Sequence, residues 1–231
     1  METRDRCKSS PGQLTSLIGS LAPACVVTAE LVGAAAEADE LLPEEERVLG
    51  KVSQSRRRDF TGGRACARRA LAGLGYEALP ILPGPNREPI WPSGVVGSIT
   101  HCTDYCGSAV SRATHFRSIG IDAEPHEPLP EGVLDIVTDP EERGWIARHS
   151  GMDVCWDRVL FSAKESVYKA WHTVTGVWLD FHDAVVTVEP AVAAFQVRIR
   201  HPFGKTAALT TMEGRYLATD RFIITLIVIS V

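Results

Sequence analysis

The chain has 231 residues, 45% of them hydrophobic and 23% charged; this suits one large domain or two small packed halves and excludes a disordered tail, a collagen-like repeat or a simple coiled coil. Its net charge of −5 excludes an indiscriminate nucleic-acid binder, whose surface is basic overall. The average conceals a gradient, because residues 47–69 carry eight basic side chains against the single acid Asp59, while residues 118–142 carry eight acids and no Lys or Arg.

Residues 1–20 read as a flexible leader. The apolar run Leu14–Val27 contains Ala22-Pro23-Ala24-Cys25, but Glu2 and Asp5 before it and Gly19, Ser20 and Pro23 within it make a poor secretory signal. A first strand is predicted at Cys25–Leu31. Pro43 followed by three glutamates opens a helix. Residues 55–74 predict a second helix, with Phe60, Ala67, Ala70, Leu71 and Leu74 as its apolar stripe and Gly75 as its stop, weakened by Gly62-Gly63. The loop at Pro80–Gly94 is too long and too rich in Pro and Gly to be an idle connection.

The period then changes to two, predicting strands at 95–100, 107–112 and 118–124. One or two short helices are expected in acidic 129–150 and the longest helix at 153–175. Strands follow at 184–188, 195–200, 206–212 and 222–229. Helices precede strands in both halves, which predicts an α+β fold of two similar lobes, 21–117 and 118–231, rather than a doubly wound parallel sheet. The six scattered cysteines include no CxxC pair and point to reduced thiols in the cytoplasm. His101, Cys102 and Cys106 lack a fourth ligand at zinc spacing. The longest other apolar stretch, Phe222–Val231, falls well short of the roughly 20 residues that span a bilayer.

Three motifs carry chemistry. In Gly120-Ile121-Asp122-Ala123-Glu124-Pro125, a strand places Asp122 and Glu124 side by side and turns Ile121 and Ala123 to the core. Adjacent carboxylates suit a hard divalent cation such as Mg²⁺, although surface strands also carry such pairs. In Phe161-Ser162-Ala163-Lys164-Glu165-Ser166-Val167-Tyr168-Lys169-Ala170-Trp171, Glu165 and Lys169 share a helix face. They form either an ordinary solvated pair or, with Lys164 and the upstream acids, a holder for a metal-bound pyrophosphate. In Gly97-Ser98-Ile99-Thr100-His101-Cys102, a hydroxyl, an imidazole and backbone N–H groups at a strand end can donate to phosphate oxygens; the alternative is a satisfied loop histidine.

In this order and spacing, and with the basic helix SRRRDFTGGRACARRAL, the motifs resemble the 4′-phosphopantetheinyl transferase superfamily, specifically its larger monomeric Sfp/EntD type. The resemblance implies two α/β lobes related by a pseudo-twofold, with coenzyme A in the cleft between them. It implies transfer of 4′-phosphopantetheine from coenzyme A to a serine of an apo acyl or peptidyl carrier protein of polyketide or non-ribosomal peptide synthesis, releasing 3′,5′-ADP. The partners implied exclude nucleic acid and membranes, and the enzyme is expected to be a monomer.

By the same resemblance Asp122, Glu124, Glu165 and the Ala123 backbone hold Mg²⁺, with Mn²⁺ a possible substitute. Glu165 takes the serine proton, directly or through a metal-bound water. Lys169 neutralises charge on the leaving ADP, Lys164 and His101 hold phosphate oxygens, and Thr100 adds a donor. Arg56 and Arg64 hold the 3′-phosphate end, while Asn86 and Arg87 lie in the loop over the adenine. The chain departs from its relatives at Pro83, where they carry a lysine; Arg87 is the expected replacement. Phe161, Tyr168 and Trp178 either line the pantetheine channel or belong to the core. A metal-dependent pyrophosphate hydrolase and a non-catalytic coenzyme A or carrier-binding module are the alternatives.

Overall fold

Two antiparallel sheets, each backed by a 20-residue helix, are described by a computed structural model over residues 16–33, 40–151, 153–200 and 209–231. The first half comprises α1 (Leu17–Leu21), β1 (Val27–Val32), α2 (Pro43–Leu49), α3 (Gln54–Gly73), β2 (Val95–Cys102) and β3 (Tyr105–Arg112), its strands ordered β1-β3-β2. Ser53 caps α3 by accepting the Arg56 N–H. Of the glycine pair that weakens α3 as an isolated helix, Gly63 has a packing reason: a Cβ there would lie 2.8 Å from Ile99 Cγ2 of β2.

The second half comprises β4 (Phe116–Pro125), α4 (Val133–Val137), α5 (Pro140–Arg148), α6 (Trp156–Thr175), β5 (Ala184–Glu189), β6 (Ala194–Ile199), β7 (Thr211–Ala218) and β8 (Phe222–Ser230), with strand order β4-β8-β7-β6-β5. The α+β class is therefore as expected. Two expectations need correction. Residues 1–15 of the expected leader lie outside the described residues, but residues 17–21 form α1, with Ile18 and Leu21 buried and the Glu30 carboxylate accepting the N–H groups of Leu17 and Ile18. The strand expected at 206–212 is β7 at Thr211–Ala218, residues 206–208 lying outside the described ones. Gly214 hides its alternation, and it is required there because Phe195's ring would lie 2.1 Å from a Cβ.

Alternation in β4 creates the site. Ile119, Ile121 and Ala123 are fully buried in a core shared with Val96, Tyr105, Ile224 and Leu226. Gly120, Asp122 and Glu124 occupy the opposite face, under α6. Gly120 lets that helix seat, since a Cβ there would stand 1.9 Å from the Ser166 carbonyl oxygen. A backbone carbonyl in a packed helix cannot yield as a side chain can. Gly120→Ala is therefore expected to cost about 1–3 kcal/mol or more and to lower the unfolding temperature by several degrees in calorimetry.

Between the halves, hydroxyls replace a strand ladder: Ser98 Oγ accepts the Ile121 N–H at 3.2 Å and Thr100 Oγ1 accepts that of Ala123 at 2.9 Å. Each half also repeats one polar device. Glu45, in the first turn of α2, accepts from Leu42 N, Arg68 of α3 and Ile81 N. Glu142, in the first turn of α5, accepts from Asp139 N, Lys164 of α6 and Val186 N. Each buried glutamate thus ties a Pro-led short helix to the long helix and to the chain beyond it.

Candidate active site

Asp122 and Glu124 leave β4 toward the α6 face that bears Glu165 and Lys169. Lys169 Nζ donates to Asp122 Oδ1 at 2.8 Å and to the Ile121 carbonyl at 3.0 Å. Thr100 Oγ1 also reaches Asp122 Oδ1, at 3.4 Å. Asp122 Oδ2 is buried and accepts nothing from the described residues. Glu124 Oε2 is bound by Arg158 Nη1 at 2.8 Å. Burial, and then the Asp122 charge, push the Glu124 carboxyl up to about 7 against the pull of Arg158 and Lys169. The same two causes raise Glu165, opposed by Lys169. Asp122 thus raises both of its carboxylate neighbours, and the group is poised to take up positive charge.

The donors are hard oxygens and one of them, Asp122 Oδ2, is a buried acceptor with no partner, which fits a hard divalent ion. Among the described residues, however, no three His, Cys, Asp or Glu side chains form a ready-made metal cluster. The expected three-carboxylate set thus does not stand as a closed cage, and the arrangement suits an ion held partly by protein and partly by substrate phosphates. The Ala123 side chain lies in the core and its N–H is taken by Thr100, so only its carbonyl could contribute.

His101 points from β2 toward α3, its Nδ1 3.8 Å from Asp59 Oδ2. Enclosure by the protein, with Lys169 and Arg56 nearby, lowers its pKa against the opposing charges of Asp59 and Asp122. Arg56 and Arg64 converge on the Phe60 ring, at 5.8 and 3.8 Å from its centroid. Arg64 Nε donates to the Ile81 carbonyl, and burial brings this guanidinium down to about 10. The 80–94 loop is pinched by a Pro83–Pro89 bridge, with Arg87 at φ 69° and Glu88 accepting the Asn86 N–H. Asn86 and Arg87 are exposed.

Two expected ligands are placed elsewhere. Lys164 is buried, and its ammonium is filled by Glu142 at 2.7 Å and the carbonyls of Val137 and Phe181 at 2.8 and 2.9 Å. With its three donors used, it holds α6 in place rather than a phosphate. Thr100 is buried too, and its hydroxyl serves the Ala123 N–H and Asp122. Lys164→Ala would leave Glu142 buried without its cation, at a cost of about 3–5 kcal/mol. A marked fall in unfolding temperature is therefore expected in thermal melts; an unchanged melt would return Lys164 to a surface role.

The aromatic residues divide. Phe161 stacks on Phe181, whereas Tyr168 packs edge-on to Trp178, which is 72% exposed beside the site face of α6. For the zinc alternative, no group of three His, Cys, Asp or Glu side chains among the described residues is placed to hold an ion. Sequence reasoning missed Arg158, Ser98 and Glu142, whose partners lie far away in the chain. No helix among the described residues is long and apolar enough to cross a membrane.

Residues 44–111 match the model of the 4′-phosphopantetheinyl transferase N-terminal domain, and residues 118–226 that of the 4′-phosphopantetheinyl transferase superfamily. The chain is 45% identical to the 4′-phosphopantetheinyl transferase Svp of Streptomyces mobaraensis, over 82% of this chain and 79% of the relative. It is 44% identical to the transferase Npt of Nocardia iowensis over 91% and 99% of the two chains. Identity to PptT of Mycobacterium tuberculosis is 43%, over 81% and 86%.

Proposed function

The chain belongs to the 4′-phosphopantetheinyl transferase superfamily, and from that premise we propose that the cleft bounded by β4, α6 and α3 binds coenzyme A and passes its phosphopantetheine to a carrier-protein serine. The enzyme is a 4′-phosphopantetheinyl transferase like its relatives. The observation that carries the placement of the reaction is Asp122 Oδ2, a buried acceptor without a protein partner, set among two further carboxylates and Lys169.

Asp122, Glu124 and Glu165, with the Ala123 carbonyl, would hold Mg²⁺ or Mn²⁺. When bound, the ion neutralises the pyrophosphate and so eases attack on it. Glu165, its carboxyl raised by burial and by the Asp122 charge, is a stronger base than an exposed glutamate and takes the proton from the serine hydroxyl. The serine Oγ–P bond forms at the β-phosphate as the P–O bond to 3′,5′-ADP breaks, the electron pair leaving with the ADP. Lys169 keeps one ammonium N–H beyond its two protein partners for that developing charge. His101 donates to the pyrophosphate. Arg56, and the terminal N–H groups of Arg64, take the 3′-phosphate, where a guanidinium fork binds two oxygens at once. Asn86 and Arg87 close over the adenine, and Tyr168 with Trp178 flanks the pantetheine arm.

The test is incubation of an apo carrier protein with coenzyme A and Mg²⁺, read by mass spectrometry. Addition of one phosphopantetheine, blocked by a chelator, is expected; modification of equal extent in the chelator would remove the metal from the reaction. A pH effect also follows. Because Glu124 is raised to about 7 in the metal-free fold, its contribution to stability is present below the unfolded carboxyl range and is lost as pH rises through about 7. A metal must displace that proton at lower pH. Calorimetric Mn²⁺ affinity is therefore expected to weaken from pH 8 to pH 6, with proton release on binding; an affinity flat across that range would contradict the assignment of Glu124.

A further inference from the structure

We propose that Arg158 is a positioning residue of the metal site, fixing Glu124 so that one carboxylate oxygen is spent on the protein and the other is presented to the cation; this rests on the function assigned above. Arg158 is the third residue of α6, and its side chain is 13% exposed. Its Nη1 binds Glu124 Oε2 at 2.8 Å, its Nε the Glu127 carbonyl at 2.9 Å and its Nη2 the Pro128 carbonyl at 2.9 Å. A planar fork with acceptors on all three nitrogens has one pose, unlike the swivelling ammonium of a surface ion pair.

The neighbouring contacts fix the same junction. Asp157 accepts the Leu129 N–H at 2.7 Å, and His126 Nε2 accepts the Cys155 N–H at 3.1 Å while Nδ1 donates to the Thr219 carbonyl. The exit of β4 is thereby stapled to the first turn of α6, the helix that carries Glu165. The two strand carboxylates end up alike. Lys169 and Thr100 occupy Asp122 Oδ1 and leave Oδ2, while Arg158 occupies Glu124 Oε2 and leaves Oε1. Partners of this kind orient metal ligands, and their loss typically costs about 10–100-fold in metal affinity.

The experiment counts Mn²⁺ bound to the full chain by electron paramagnetic resonance, with coenzyme A present and no carrier. Arg158→Met is expected to weaken Mn²⁺ binding about 10–100-fold, and Arg158→Lys, which restores one donor, to recover part of the loss. A purely structural clamp would lower the unfolding temperature of both variants without moving the Mn²⁺ affinity of the folded protein. Affinity of folded Arg158→Met equal to or tighter than wild type overturns the proposal, because the guanidinium would then be inert or a competitor of the metal. If Arg158→Met does not fold, wild-type affinity in Arg158→Lys overturns it instead. Asp122→Asn separates the two levels: Mn²⁺ lost there but kept in Arg158→Met refutes the role of Arg158 alone, and Mn²⁺ kept in both, or absent from wild type, refutes the metal site itself.

Discussion

Asp122→Asn is expected to reduce carrier modification by on the order of 10³-fold, the size of effect seen when one electrostatic group at a reacting centre is removed. Asparagine keeps the shape of the side chain and one oxygen for Lys169 and Thr100. It puts an N–H₂ donor, or a weaker neutral acceptor, where Oδ2 now stands as the buried unpartnered oxygen. The fold should tolerate the change. Losing the Asp122–Lys169 ion pair is destabilising, but Asp122 also raises Glu124 and Glu165, and its neutralisation relieves that repulsion. Transfer assays and thermal melts on one preparation should show activity lost and the unfolding temperature within a few degrees of wild type. A collapse of both would make Asp122 a structural residue.

The second large effect is expected from Glu165→Gln. An amide cannot take the serine proton, and general-base catalysis is worth about 10²–10⁴-fold. The kcat should fall by that amount, while KM for coenzyme A is expected to change less, because the proposed site sets the nucleotide end against α3 and the 80–94 loop rather than against Glu165. The pH profile gives a second reading. The wild-type rate should fall on acidification as the raised Glu165 carboxyl protonates. The variant should lose that limb, and a folded variant with the wild-type rate and profile would remove Glu165 from proton transfer.

Period-two alternation was enough to place Asp122 and Glu124 on one face of β4 and Ile121 and Ala123 on the other, because side chains of a strand alternate strictly. The i,i+4 spacing likewise put Glu165 and Lys169 on one face of α6, where the Lys169 ammonium pairs with Asp122 instead. The same geometry read more strictly would have set Lys164 aside, since adjacent helical residues do not share a face, and would have turned Thr100 away from His101. Thr100 follows Ser98 onto the buried seam, whereas His101 follows Ile99 toward α3. Glycine obscured β7 because Gly214 exists to admit Phe195's ring and has no side chain to mark the pattern. The Arg158–Glu124 pair was out of reach because nothing local requires residues 34 apart to meet. One legible signal went unused: Pro43-Glu44-Glu45 and Pro140-Glu141-Glu142 open matching helices whose glutamates anchor both halves alike.

The most direct measurement is the mass of an apo carrier protein after incubation with coenzyme A and Mg²⁺, with wild-type enzyme and folded Asp122→Asn run side by side. The expected result is one phosphopantetheine on the carrier serine with wild type and an unmodified carrier with the variant. Equal modification by both proteins, or none by wild type across acyl and peptidyl carriers, would contradict the assignment of this cleft as the site of transfer.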